Sequence, residues 1–284
     1  MSVVVQKARV GDAFIEDAAK IPAFFRRDLL ILWSYRAAFV GDWVNMIVQI
    51  LVFYFVGKLV SAQSLPTFGG RHPTYIEYVS VALLLTQFMA LTLGRLVSAV
   101  KTEQLQGTIE SLMSTPTAAA TLQLGSVFYD VLYVPLRSAV FLVIMTLAFG
   151  IHFHWAGLLP MAAVFAVFMP FMWGLGVLSA AIVLTFRRGS ASLGMGITLL
   201  TLASGAYFPI TVLPSWLQWV MKYNPIKEAI EASRNALLGA AGWASTLPTI
   251  VRLLPMAAIS LAIGMWAFRL ALQRERRRGT LGLY

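Results

Sequence analysis

The sequence predicts an all-α integral membrane protein with six transmembrane helices, and three observations carry that reading. The 284 residues are 59% hydrophobic and 12% charged, about half the charged share of an ordinary soluble domain. Six stretches are apolar enough for a span, at 38–60, 75–99, 122–150, 157–186, 190–212 and 249–272, and a span needs roughly 20 such residues. Lysine and arginine sort by side. With both termini cytoplasmic, fifteen fall inside and six outside, and Arg137 is left within the third span, as the positive-inside rule requires. The net charge of +10 is therefore read as membrane orientation and not as nucleic-acid binding.

Residues 1–37 form a polar tail of mixed charge without a signal-peptide pattern, so the first span is expected to direct insertion into a bacterial inner membrane. After Pro22 a helix carries Phe25, Leu29, Leu32 and Trp33 on one side and Arg26, Arg27 and Asp28 elsewhere. That pattern suits a helix lying in the membrane interface, or a basic aromatic anchor. The first span holds Asp42, Asn45 and Gln49 at steps of three and four residues, followed by Phe53, Tyr54 and Phe55. Such a polar stripe is costly in lipid and is expected to face protein or a cavity. The loop 61–73 is rich in serine, glycine and proline and reads as irregular. Glu77, at the start of the second span, is a candidate partner for a base of the segment 213–239.

Residues 101–117 read as a polar helix broken at Pro116, too hydrophilic to stay in the bilayer, with Glu103, Gly107, Glu110 and Ser114 along one face. In the third span Asp130 and Arg137 lie seven apart, on one side of the helix. His152 and His154 have no carboxylate or third histidine near them in sequence, so they read as membrane-surface residues and not as metal ligands. The third and fourth spans are long enough to tilt. The fifth is rich in small residues (Ser190, Ser192, Gly194, Gly196) that permit close helix approach.

Two short amphipathic helices then interrupt the apolar pattern. Pro209 and Pro214 make a corner, and 215–223 reads as a helix with Trp216, Leu217, Val220 and Met221 along its apolar side. Asn224 is a good N-cap and Pro225 a good first-turn residue. Glu228 and Glu231 lie near the positive end of the helix dipole, with Arg234 further along. A basic tail, 273–284, follows the sixth span.

Two of these segments resemble the hallmarks of ATP-binding-cassette type-2 exporter permeases. The proline, the tryptophan helix, Asn224-Pro225 and the acidic residues with Arg234 look like that family's outer re-entrant hairpin, here 213–239. Glu103, then Gly107-Thr108-Ile109-Glu110, then Thr115-Pro116 look like its coupling helix, here 101–117, which docks on the ATPase subunit. The resemblance covers essentially the whole chain. It implies a permease domain over 38–272, two copies of a cytoplasmic ATPase as partner, and a second permease copy, most simply in a homodimer. Membrane lipid is the surrounding partner, and no nucleic acid is expected. The cargo implied is a hydrophobic or amphipathic molecule: a drug, a lipid or a lipid-linked glycan. The substrate path is expected at the dimer interface along Asp42, Asn45, Gln49 and Phe53.

The sequence contains no G-x-x-x-x-G-K-[ST] phosphate loop, so ATP and magnesium are expected on the partner ATPase, with no cofactor and no metal on this chain. There is no cysteine, which removes disulfides and thiolate metal sites. An intramembrane enzyme would need a nucleophile with a base, or a metal cluster, within the spans, and no such pattern is visible. An ion-coupled secondary transporter or channel is the stronger rival, through Asp42, Asp130 and Arg137. It leaves 101–117 unexplained, and a purely structural scaffold leaves 213–239 unexplained.

Overall fold

Residues 36–105, 119–186 and 190–278 are described by the computed structural model. Their helices are α1 (Arg36–Gly57), α2 (Tyr75–Leu105), α3 (Ala119–Phe149), α4 (Leu158–Phe186), α5 (Ser190–Ala203), α6 (Ser215–Met221), α7 (Pro225–Leu237) and α8 (Gly242–Arg278). Short 3-10 turns stand at Ala62–Ser64, Trp155–Gly157 and Ile210–Val212. No strand occurs among the described residues; Phe68 and Arg71 make an isolated bridge within the α1–α2 loop.

Helix α4 is the centre, packed along α8 and against α2, with α7 lying across all three. The α4–α8 approach is close because both helices present glycine. A Cβ on Gly174 would run into the backbone of Ser260, and one on Gly264 into the carbonyl of Gly174. Ser260 Oγ also donates to Phe171 O at 2.9 Å across the seam. Without a hydrophobic force between helices in lipid, such backbone approach and interhelical bonding are what hold spans together.

Among the described residues, four helices are long and apolar enough to cross a membrane: Val40–Gly57, Tyr75–Gly94, Trp155–Phe186 and Gly242–Arg274. They differ in how much protein covers them. The α2 segment is 78% buried and that of α4 67%, against 11% for α1 and 22% for α8. So α2 and α4 form the interior, while α1 leaves a row of valines exposed, Val40, Val44, Val48 and Val52. The apolar part of α3, Tyr133–Phe149, is shorter.

The fifth expected span is not one helix. Helix α5 has 14 residues, about 21 Å at 1.5 Å per residue, against the roughly 30 Å of a bilayer core. It stops at Ala203 because Gly205 adopts φ +79°, a left-handed conformation that ends helices. Pro209 then leads into the turn Ile210–Val212. Two smaller differences concern α1, which ends at Gly57 where 60 was expected, and α2, which runs on to Leu105 and so absorbs the start of 101–117.

Both short helices of 213–239 are present. In α7, Asn224 Oδ1 accepts from Ile226 N–H at 3.0 Å with Pro225 in the first turn, as the sequence predicts. The helix buries Ile226, Ala229, Ile230, Ser233, Ala236 and Leu237 against the bundle. Helix α6 turns Met221 inward and leaves Trp216 and Trp219 exposed, so Trp216 is not part of its buried side.

Candidate functional site

Three helices meet at the polar stripe of α1. Arg137 of α3 pairs with Asp42 through Nη1 and Oδ2, and Tyr133 donates to the same oxygen at 3.0 Å. Arg137 Nε donates to Gln87 Oε1 of α2, and Gln87 Nε2 to Gln49 Oε1 back on α1, each at 3.3 Å. Arg137 is 6% exposed. A guanidinium this deeply buried among apolar helices persists only because a carboxylate neutralises it and hydrogen bonds surround it. The sequence singles out Arg137 with Asp130. The structure supplies Asp42 as its ion partner; the side chain of Asp130 lies outside what is described.

A cavity of about 370 Å³ opens beside this network. Asp42, Asn45, Gln49, Gln87, Arg137 and Tyr207 line it, with Thr86, Thr198 and Thr201 adding hydroxyls. Asn45 stands at its exposed edge. Phe53 does not line the cavity, but it stacks on Tyr207 with ring centres 5.1 Å apart and planes 4° apart. The stripe Asp42, Asn45, Gln49 thus does face a cavity, and Phe53 backs one wall of it. Sequence reading missed Gln87 and Tyr207. The signal for Gln87 was there: an amide within the apolar run of α2.

Tyr207 belongs to the turn that ends α5, and three successive carbonyls of that turn are gripped. Gly205 O accepts from Tyr78 Oη at 3.1 Å and from Arg234 Nη1 at 3.0 Å. Ala206 O accepts from Arg234 Nη2 at 2.8 Å, and Tyr207 O from Tyr75 Oη at 3.0 Å. Arg234 Nε donates to Tyr78 O at 3.0 Å, and its guanidinium lies 3.5 Å from the centre of the Tyr78 ring. Arg234 is 2% exposed. Burial pulls its pKa down to about 10, with Tyr78 and Glu231 opposing, so it remains a cation at neutral pH.

The acidic residues of α7 therefore do not hold Arg234 by an ion pair. Glu228 faces Arg252 of α8 at 3.6 Å, and Glu231 faces Lys227 at 3.8 Å. The Glu231 carboxyl is pushed up, chiefly by burial, with Lys227 and Arg234 opposing. Pro214 is the N-cap residue of α6. Glu77 meets no base of 213–239. It closes a capping box with Thr74, accepting from Thr74 N–H at 2.8 Å while Thr74 Oγ1 accepts from Glu77 N–H at 3.4 Å. Glu77 also pairs with Arg71 at 3.1 Å. Of the residues expected at 101–117, Glu103 falls in the last turn of α2; Gly107, Thr108, Glu110, Thr115 and Pro116 lie outside the described residues.

A search of curated proteins finds no match. The family model for the ABC-2 type transporter matches residues 20–238, a stretch that takes in the polar cavity, the gripped turn and both short helices. The chain therefore belongs to the ABC-2 type transporter family, as a multi-pass permease subunit that works with an ATP-binding partner.

Proposed function

We propose that this chain is the membrane half of an ATP-driven exporter, with six spans and both termini cytoplasmic in a bacterial inner membrane. In this reading α3 and α5 cross along with the four long helices, and α5 is completed by its gripped turn. Two copies form the path, two ATPase subunits drive it, and ATP with magnesium is bound by those partners. The segment 101–117 is the coupling helix, and closure of the ATPase dimer reaches the spans through it and through α2, whose last residues, 101–105, are its first. Helices α6 and α7 are the outer re-entrant hairpin that gates release. The cargo is hydrophobic or amphipathic, moving along Asp42, Asn45, Gln49 and Phe53 where two copies meet.

The observation that carries this reading is the polar cavity beside α1, the least covered of the four long helices. Inside a membrane a surface that is both polar and uncovered is expensive, and a second copy or a cargo is what covers it. The test is purification of the tagged chain from its host in mild detergent, with identification of the co-purifying ATPase and an assay of its activity. Glu110→Lys should abolish that association or uncouple hydrolysis from transport. A chain recovered alone, with nucleotide-independent transport, would overturn the reading in favour of an ion-coupled transporter built around the Asp42–Arg137 pair.

A further inference from the structure

We infer that the cavity between α1, α2 and α5 takes the uncharged, polyhydroxylated headgroup of an amphiphile whose tail lies on the valine row of α1. This deepens the exporter reading and rests on it for the direction of movement only.

Charge comes first. Among the described residues, the ionic groups lining the cavity are Asp42 and Arg137, and they pair with each other. An anionic headgroup would meet Asp42, and a cationic one Arg137, and either would have to break a pair whose loss leaves the buried Arg137 charge uncompensated. The remaining polar lining consists of the amides of Asn45, Gln49 and Gln87 and the hydroxyls of threonine and Tyr207. Amides and hydroxyls both donate and accept, which is the complement of a ring or chain of hydroxyls.

Unused capacity points the same way. Gln49 accepts from Gln87 but donates to nothing described, and Asn45 makes no bond to any described residue. Donors that end in a cavity at membrane depth call for acceptors from outside the protein.

Size and shape complete the argument. A cavity of about 370 Å³ equals roughly a dozen waters at ~30 Å³ each, room for a headgroup and not for a whole lipid. On α1 the polar stripe at Asn45 and Gln49 runs beside the exposed Val44, Val48 and Val52, because residues one apart on a helix stand about 100° apart. One molecule can thus place its head in the cavity and its tail against the valines.

The test uses the purified full-length chain in nanodiscs, with binding read by native mass spectrometry after titration with three dioleoyl probes: glucosyl-diacylglycerol, plain diacylglycerol and phosphatidylglycerol. The glucosyl lipid should bind about tenfold more tightly than diacylglycerol, and Gln49→Leu should remove most of that advantage, one or two hydrogen bonds being worth about that factor. Asn45→Leu, at an exposed position with no described bond to lose, should weaken the same preference and serves as the variant whose folding is not at issue. Equal binding of glucosyl and plain diacylglycerol, or a preference for phosphatidylglycerol, overturns the inference. The assay needs no ATPase, so headgroup selectivity without a co-purifying ATPase keeps this inference and sinks the exporter reading, and an ATPase complex without selectivity does the reverse.

Discussion

Replacing Arg234 by lysine should harm the protein more than replacing it by methionine. Three acceptors are at stake, and they are not equivalent. Tyr78 O belongs to the α2 ladder and Gly205 O keeps the Tyr78 hydroxyl, so Ala206 O is the acceptor left without another described donor. Methionine removes three charge-assisted bonds but also removes a buried cation whose desolvation opposed folding. What remains is the orphaned carbonyl and the lost ring contact, about 2 kcal/mol. Lysine keeps the charge in the same place without the planar fork that reaches all three carbonyls, and an under-bonded buried cation costs about 3–5 kcal/mol. At about 2–4 °C per kcal/mol, thermal unfolding of the detergent-purified protein should drop by about 4–8 °C for Arg234→Met and by about 6–20 °C for Arg234→Lys. A lysine variant within a few degrees of wild type, with methionine far below it, would refute the reasoning, since charge alone would then hold the turn.

Other outcomes follow from the same structure. Gly205→Ala should lower stability by about 1–3 kcal/mol, because alanine is strained at φ +79° and its Cβ would stand 2.8 Å from Ile210 Cγ1; folded yield by size-exclusion chromatography checks it. Gly174→Leu should force α4 from α8 and abolish folded protein in the same assay. Asp42→Asn should cost about 3–5 kcal/mol by stranding the buried Arg137 charge, and adding Arg137→Gln should recover much of it, a coupling that thermal unfolding of the double variant measures. Glu231 has a raised pKa in the folded chain, so its ionisation opposes folding, and the loss of stability sets in as pH rises above 4.5. Glu231→Gln should therefore unfold at or above the wild-type temperature at pH 7, and the gap should close as pH falls below the ordinary carboxylate range.

Local signals in the sequence translated directly into structure where one helix decides the outcome. Asn224 and Pro225 start α7 as their types require, and the long apolar runs became α1, α2, α4 and α8. Choices between helices were not legible. Arg234 has Glu231 and Glu228 on its own helix, yet carbonyls of other segments hold it, because the turn at Gly205 presents two acceptors to its guanidinium, one of which, Ala206 O, has no other described donor. Likewise the ion pair from Arg137 to Asp42 crosses from α3 to α1, a choice that spacing along one helix does not reveal. The early end of α5 could have been suspected from Ser204-Gly205 before Pro209, but an apolar run through Val212 outweighs a single glycine in any count of hydropathy.

Helix α1 has little surface buried against the rest of the chain, and within a bilayer burial would hold it only weakly in any case. Beside the buried Met46 and Ile50, directional bonds from Arg137 to Asp42 and from Gln87 to Gln49 therefore help to fix its position. Those same groups border the cavity. A guest that competes for them alters the balance between tethered and released α1 by its differential affinity for the two arrangements. Occupancy and helix position are then two readings of one equilibrium, and a cargo with the right hydroxyls needs no separate trigger to announce that it has arrived.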